Sequence, residues 1–209
     1  GLSDALDADA NRCADADASA KMSDAIKRAS RAGTTVGGLF EVHAAPVLVG
    51  LGSHVQWHTR LDARFAAALM SIPGVKAVEV GAGRAYASAT GAEMHDEIVM
   101  DAGVLRRATN RAGGIEGGIS NGEPIVVRAT MKPLPTQRKP LASVDVVTNE
   151  RTLAAHERSD ICAVAPASVV GEAMVALVLA EALLEKLGGD SMEELRERVA
   201  AHRDAVERY

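Results

Sequence analysis

The chain has 209 residues, 47% of them hydrophobic but only 2% aromatic, and a formal net charge of -5. That length allows one large domain or two small ones, with a core built from Ala, Val, Leu, Ile and Met. The acidic balance argues against a nucleic-acid partner held by charge, and no uninterrupted apolar run reaches the ~18 residues that would suggest a membrane partner. Cys13 and Cys162 show no CxxC or metal-like spacing and suit a reducing, cytoplasmic setting. The N-terminus has neither a basic flank nor an apolar h-region, so it does not read as a signal peptide. It also lacks a starting Met, and the chain reads as cut from something longer.

In chain order, residues 1–14 are acidic and alanine-rich, a loosely ordered lead-in. Asp15 or Asp17 caps a helix to about Ala32, with Met22, Ala25, Ile26 and Ala29 on one face and Gly33 stopping it. Residues 35–47 read as a strand in which Gly37 and Gly38 mark a bulge or a close backbone approach. A loop over 50–57 leads to a helix over 60–70 that turns Leu61, Phe65, Ala68 and Leu69 inward, and Pro73 ends it. Residues 75–80 form a strand, and 81–110 are polar and irregular. Strands over 123–131 and 142–148 flank a basic loop. Pro166, at the first helical position, opens a long apolar helix to Leu187, closed by Gly188 and Gly189. Ser191 and Glu194 form a capping box for a last helix to Tyr209. Strands and helices mix without strict alternation, which predicts an α+β fold with a largely antiparallel sheet and no clean domain boundary. A helix apolar nearly all round belongs in a core between sheets or in a subunit interface.

The densest chemical signal is residues 113–136. Gly113, Gly114, Gly117, Gly118 and Gly122 fall within ten residues, followed by Ile125, Val126 and Val127 and then Lys132 among prolines. Glycines let a backbone approach a ligand, and a lysine adds fixed positive charge; together they suit a flat, phosphate-bearing cofactor. Lys132, Arg138 and Lys139 make either a solvated basic turn or, with a Thr hydroxyl and main-chain N–H groups, a phosphate-binding loop. Arg158, Ser159 and Asp160 precede an apolar stretch. Arginine grips phosphate or carboxylate through a bidentate fork, and a desolvated aspartate holds a proton near neutral pH; a structural Arg–Asp pair is the alternative.

Other patterns carry less. Gly81-Ala82-Gly83 has Tyr86 where a dinucleotide fingerprint wants its third glycine. Asp7, Asp9 and Asn11 open like a calcium loop, but Arg12 and Ala18 stand where Gly and Glu are needed. The histidines, His43, His54, His58, His95, His156 and His202, show no metal-binding spacing. His95 lies in Met94-His95-Asp96-Glu97, where a carboxylate neighbour could orient it, a surface or interface histidine being the commoner case.

These pieces line up, in one order, with a known family. RCADADASAKMSDAI, GGLFEV, GLGSHVQW, LDARFAAALMSIPGVKAVEVG, AEMHDEI, TNRAGGIEGGISNGEPIVVRATMKPLPT, ERSDICAV and GEAMVALVLAEALLEKLGGDSMEEL resemble successive segments of chorismate synthase. The resemblance covers nearly the whole chain and about the C-terminal half of a full-length enzyme, so residues 1–209 are expected to form part of one family domain. It implies a β-α-β sandwich of largely antiparallel sheets with buried helices. It also implies a reduced-FMN-dependent 1,4-anti elimination of phosphate from 5-enolpyruvylshikimate 3-phosphate, giving chorismate in the shikimate pathway. NADPH serves as reductant in bifunctional relatives, and the family assembles as a homotetramer.

Carried over residue by residue, the resemblance puts FMN contacts on Pro73, Gly74, Gly117, Lys132, Pro133, Leu134, Pro135, Thr136 and Arg158. It makes Arg158 and Asp160 the catalytic candidates, with Asp160 receiving the proton at flavin N5. The family's FGESHG and RSSAR-type segments, with their histidines and arginines, have no counterpart here. AVAPAS stands for the usual AVPAAG, His58 for a frequent Asp, and Arg84 for an aromatic. The expectation is an enzyme portion that is inactive alone, the alternative being a non-catalytic FMN-binding or assembly module.

Overall fold

The computed structural model describes residues 2–101 and 103–208. In chain order these form α1 (Leu2–Ala8), α2 (Ala16–Ala32), β1 (Gly38–Ala44), α3 (Leu61–Met70), β2 (Val75–Val80), α4 (Gly91–Met94), β3 (Ile98–Asp101), β4 (Val104–Arg107), β5 (Ile115–Glu116), β6 (Ile119–Ser120), β7 (Ile125–Met131), β8 (Ala142–Val144), β9 (Arg151–Leu153), α5 (Val164–Leu187) and α6 (Met192–Val206). Three strands form a sheet in the order β1-β7-β2. The pairs β3–β4, β5–β6 and β8–β9 are antiparallel. Packing divides the chain into two compact units: Gly1–Phe40, Gly74–Lys76 and Thr130–Val169 form the first, and Glu41–Pro73, Ala77–Ala129 and Val170–Tyr209 the second.

The first unit opens with a correction. The acidic lead-in contains α1, and a polar network follows it. Asp9 accepts from the Asn11 and Cys13 N–H groups and, at 2.7 Å, from the Ser19 hydroxyl. The Ser19 hydroxyl, then the backbone N–H groups, hold the Asp9 carboxyl below the ordinary aspartate range. Asp15 caps α2 by accepting from the Ala18 N–H at 2.7 Å, and Gly33 closes it in a left-handed conformation. Ala29 is buried on its inner face, but Met22 is 43% exposed. Gly37 makes the expected close approach: a Cβ there would lie 2.3 Å from the Met131 carbonyl oxygen.

In the second unit, α3 buries Leu61, Phe65 and Leu69 completely, and Ile125, Val127 and Ala129 of β7 are equally inaccessible. Spacings of three to four residues in the helix and two in the strand aim each set at one core. Outward on β7, Arg128 pairs with Glu41 of β1 and lies 3.5 Å from Glu79 of β2. Burial pushes the Glu41 carboxyl up, but hydrogen bonds from His43 and Arg128 outweigh it and hold the group below its ordinary value.

Residues 81–110 are more ordered than their polarity predicts. Thr90 and Glu93 make a capping box for α4. Asp96 does not orient His95. It accepts from the Thr109 hydroxyl and, at 2.8 Å each, from the Arg111 and Ala112 N–H groups. Burial raises this carboxyl, and the three hydrogen bonds more than reverse the effect, leaving it below the ordinary range.

Helix α5 begins two residues before Pro166, which therefore sits within the first turn, where its missing N–H costs no helical bond. Ser168, Gly171, Val175, Val178 and Ala182 lie on its buried side, whereas Val170, Leu177 and Leu184 are about half exposed or more. The expectation of burial all round is thus met on one side among the described residues. By length and composition alone α5 is also long and apolar enough to cross a membrane, with a mean hydropathy of 1.9 and 33% of that stretch buried. Its charges are spaced along the helix, so no uninterrupted apolar run revealed this. At α6, Ser191 caps Glu194, but the Glu194 side chain accepts from the Asp190 N–H at 2.7 Å, so the expected capping box is only half formed.

Asp96 yields a stability prediction. A carboxyl whose folded value is lowered stabilises the fold above its unfolded value, and loses that contribution as pH falls through the folded one. Asp96→Asn should cost about 1–2 kcal/mol at neutral pH. The difference from wild type should shrink as pH drops below about 4. Urea unfolding at pH 7 and pH 3 checks both.

Candidate active site

The 132–136 loop follows β7 directly and is held from three sides within the first unit. The Lys132 N–H donates to the Gly74 carbonyl at 2.9 Å. Farther on, the Lys139 N–H donates to the Gly33 carbonyl at 2.9 Å. The Thr35 hydroxyl donates to the Leu134 carbonyl and the Ser159 hydroxyl to the Thr136 carbonyl, each at 2.6 Å. The Thr34 hydroxyl donates to Gln137 Oε1 at 2.6 Å. The 159–161 segment is anchored in turn by the Val36 N–H, which donates to the Ile161 carbonyl at 2.9 Å.

These segments enclose a cavity of about 100 Å³ lined by Thr35, Thr136, Gln137, Arg138, His156, Glu157, Arg158, Ser159 and Ile161. Its donors suit an anion: the guanidinium groups of Arg138 and Arg158, the Thr136 hydroxyl and main-chain N–H groups. Arg158, Asp160 and Lys132 are all exposed. The structure thus brings Lys132, Pro133, Leu134, Pro135, Thr136, Arg158 and Asp160 into one neighbourhood, with Gly74 bonded to its edge. Sequence reasoning missed Thr34, Thr35 and Gln137; the only signal for the two threonines was hydroxyl residues beside a helix-ending glycine, and Gln137 had none.

Pro73 and Gly117 belong to the second unit. There the glycine run separates into two kinds. A Cβ on Gly113 would lie 2.5 Å from the Gly81 nitrogen, one on Gly114 2.6 Å from the Pro124 carbonyl oxygen, and one on Gly118 2.7 Å from Arg60 Cγ. At Gly122 it would meet Val49 at 2.8 Å. Four of the five glycines therefore serve the protein's own packing. Gly117, with φ +61°, meets nothing within 4 Å, so in this run a ligand could approach the backbone along the missing Cβ only there. Beside it, Glu116 pairs with Arg107 at 2.6 Å. Among the described residues, no three His, Cys, Asp or Glu side chains are grouped to hold a metal ion.

Residues 2–184 match the family described as chorismate synthase. The chain belongs to the chorismate synthase family. It is 55% identical to the chorismate synthase of Streptomyces avermitilis over 199 residues, 95% of this chain and 50% of that one. It is 54% identical to that of Desulforudis audaxviator over 197 residues, 94% and 50% of the two chains. A crystal structure of chorismate synthase superposes with a TM-score of 0.80 at 43% identity, covering 95% of this chain and 52% of the other. The mixed α+β fold expected from the sequence is thus found. The chain spans about half the length of the curated relatives it matches.

The two classes of glycine predict different losses. Gly114→Ala should unfold the second unit, because φ +77° and a backbone clash coincide. Gly117→Ala should cost only about 1–2 kcal/mol, the strain of a left-handed Ala. Thermal melting of both variants checks this, and equal losses would refute the distinction.

Proposed function

We propose that this chain carries the part of a chorismate synthase that holds FMN and receives the substrate proton. The 132–137 loop, bonded through Ser159 to the segment that bears Arg158 and Asp160, supports this reading. Reduced FMN held there would supply transient electron donation to the loss of phosphate from 5-enolpyruvylshikimate 3-phosphate, which gives chorismate.

Each residue has a defined part. Lys132 and the Thr136 hydroxyl hold negative charge, and Pro133, Leu134 and Pro135 present a stiff apolar surface to the ring. Gly117 leaves room for a ligand to approach the backbone, and Pro73 and Gly74 are the remaining proposed FMN contacts. Arg158 grips phosphate or carboxylate and lowers the cost of charge developing there. Asp160 accepts a proton on its carboxylate; being exposed, it is desolvated only once ligand covers it. Elimination breaks one C–O and one C–H bond and leaves one new ring C=C bond, with phosphate and a proton as the departing groups and no net oxidation or reduction.

The protein is proposed to be cytoplasmic and to act within a homotetramer, neither binding nucleic acid nor spanning a membrane. Exposed Val146, Val147 and Leu177 offer the kind of surface that assembly buries. NADPH is assigned only to a bifunctional arrangement, on residues other than those named.

Residues 1–209 alone should form no chorismate with chemically reduced FMN under anaerobic conditions, since groups that act as a unit lose nearly all rate when some are absent. Product above a no-protein blank would overturn that expectation. Joined to the N-terminal half of the Streptomyces avermitilis relative, the chain should turn over. There, Asp160→Asn should lower turnover about 10²–10⁴-fold while leaving FMN affinity nearly unchanged. Unchanged turnover with normal FMN binding would make Asp160 structural. A non-catalytic module would bind FMN in both forms and turn over in neither.

A further inference from the structure

The hydroxyl bonds to the 132–137 loop all act in one direction. Thr35 Oγ1 donates to the Leu134 carbonyl and Ser159 Oγ to the Thr136 carbonyl. Each hydroxyl commits its single proton to a loop oxygen. Thr34 does the same for the Gln137 side-chain oxygen. Such a loop faces a particular problem. Pro133 and Pro135 have no N–H, so donors are few, and a peptide plane that turned over would present a carbonyl oxygen to an incoming anion. In a trans peptide the C=O and the following N–H point in opposite directions. Fixing the Thr136 carbonyl on Ser159 therefore aims the Gln137 N–H away from Ser159. Among the described residues, the N–H groups of Leu134, Thr136, Gln137 and Arg138 donate to no acceptor. Thr136, Gln137, Arg158 and Ser159 all line the cavity.

We infer that Ser159 and Thr35 are positioning residues for a phosphomonoester: by holding the Thr136 and Leu134 carbonyls, they leave the loop's main chain able to meet an anion only with N–H groups. This rests on the flavin-binding reading above for its ligand, because the phosphate is either that of FMN or that of the substrate. Thr35 is buried, whereas Ser159 is exposed. Removing the Ser159 hydroxyl therefore tests the role without emptying a core position.

The test uses the 209-residue chain as Ser159→Ala, Ser159→Thr, Thr35→Val and Thr35→Ser variants. Each is titrated with FMN, riboflavin and inorganic phosphate and followed by the ¹⁵N shift of the Gln137 amide, with thermal melting as the control for folding. Ser159→Ala should weaken phosphomonoester binding roughly tenfold and broaden or shift the free Gln137 amide. Ser159→Thr should restore both, and the Thr35 pair should behave likewise. FMN weakened with riboflavin unchanged assigns the cavity to the flavin phosphate. Inorganic phosphate weakened with both flavins unchanged assigns it to the substrate's phosphate. Wild-type chain that binds phosphate through Ser159 but not FMN keeps the inference and removes the flavin reading. Binding of FMN and of inorganic phosphate that Ser159→Ala leaves both intact in a folded chain overturns the inference alone. A wild-type chain that binds none of the three overturns both.

Discussion

Strand β7 is the constraint from which the site follows. Ile125, Val127, Ala129 and Met131 alternate into the interior, and the first three are wholly inaccessible. Because side chains repeat every two residues, a slip of one would bury Arg128 and expose the core set. The outward position of Arg128, between Glu41 and Glu79, makes that slip more costly still, since it would strand three charges. With the register fixed, Lys132 must follow Met131 where the Gly74 carbonyl can receive its N–H, and the loop begins at a defined point. Gly37 guards the same end: its missing Cβ lets the chain pass against the Met131 carbonyl.

Beyond that point the loop makes no regular secondary structure, and its order comes from elsewhere. Two prolines narrow the backbone's choices before any contact forms. Hydroxyls and carbonyls from the 33–36 and 159–161 segments then settle the remaining peptide planes. A site made this way is pre-organised at small cost, because its donors are not pulled out of any ladder. It also explains why charges at the site are exposed in the chain: the main chain, not ion pairing, fixes the geometry.

Much of this was legible in the sequence. The α2 caps, α3 with its buried Leu61, Phe65 and Leu69, strand β2 to the residue, and β7 all follow from period and punctuation. What escaped has a physical pattern. Helix α1 is acidic and only seven residues long, too short for a helical period to signal itself. Thr34, Thr35 and Ser159 act by single hydrogen bonds between segments about 100 and 23 residues apart, and no local spacing encodes such a bond. Asp96 was read for its neighbour His95, yet its oxygens serve main-chain N–H groups at residues 111 and 112. Periodicity reports which face is buried; it does not report which distant N–H a carboxylate will find. Helix α5 shows the converse, since its composition predicted burial all round and its packing supplies one side.

The glycine run shows how one pattern can carry two demands. Dense glycines read naturally as a cradle for a ligand, and the chain does use them for close approach. But Gly113, Gly114 and Gly118 approach the protein's own atoms, as does Gly122 at Val49. A side chain at any of those positions would disturb folding whether or not a cofactor ever binds. Of the five, only at Gly117 is the space free, so there the fold asks for the left-handed backbone alone and the approach is left open to a ligand. A chain that had lost its chemistry would still be obliged to keep the four packed glycines and, for its left-handed φ, Gly117, whereas the Thr136 hydroxyl and Arg158 have no such structural obligation. Their joint presence beside an intact fold is therefore the better measure of a working site than the density of glycine itself.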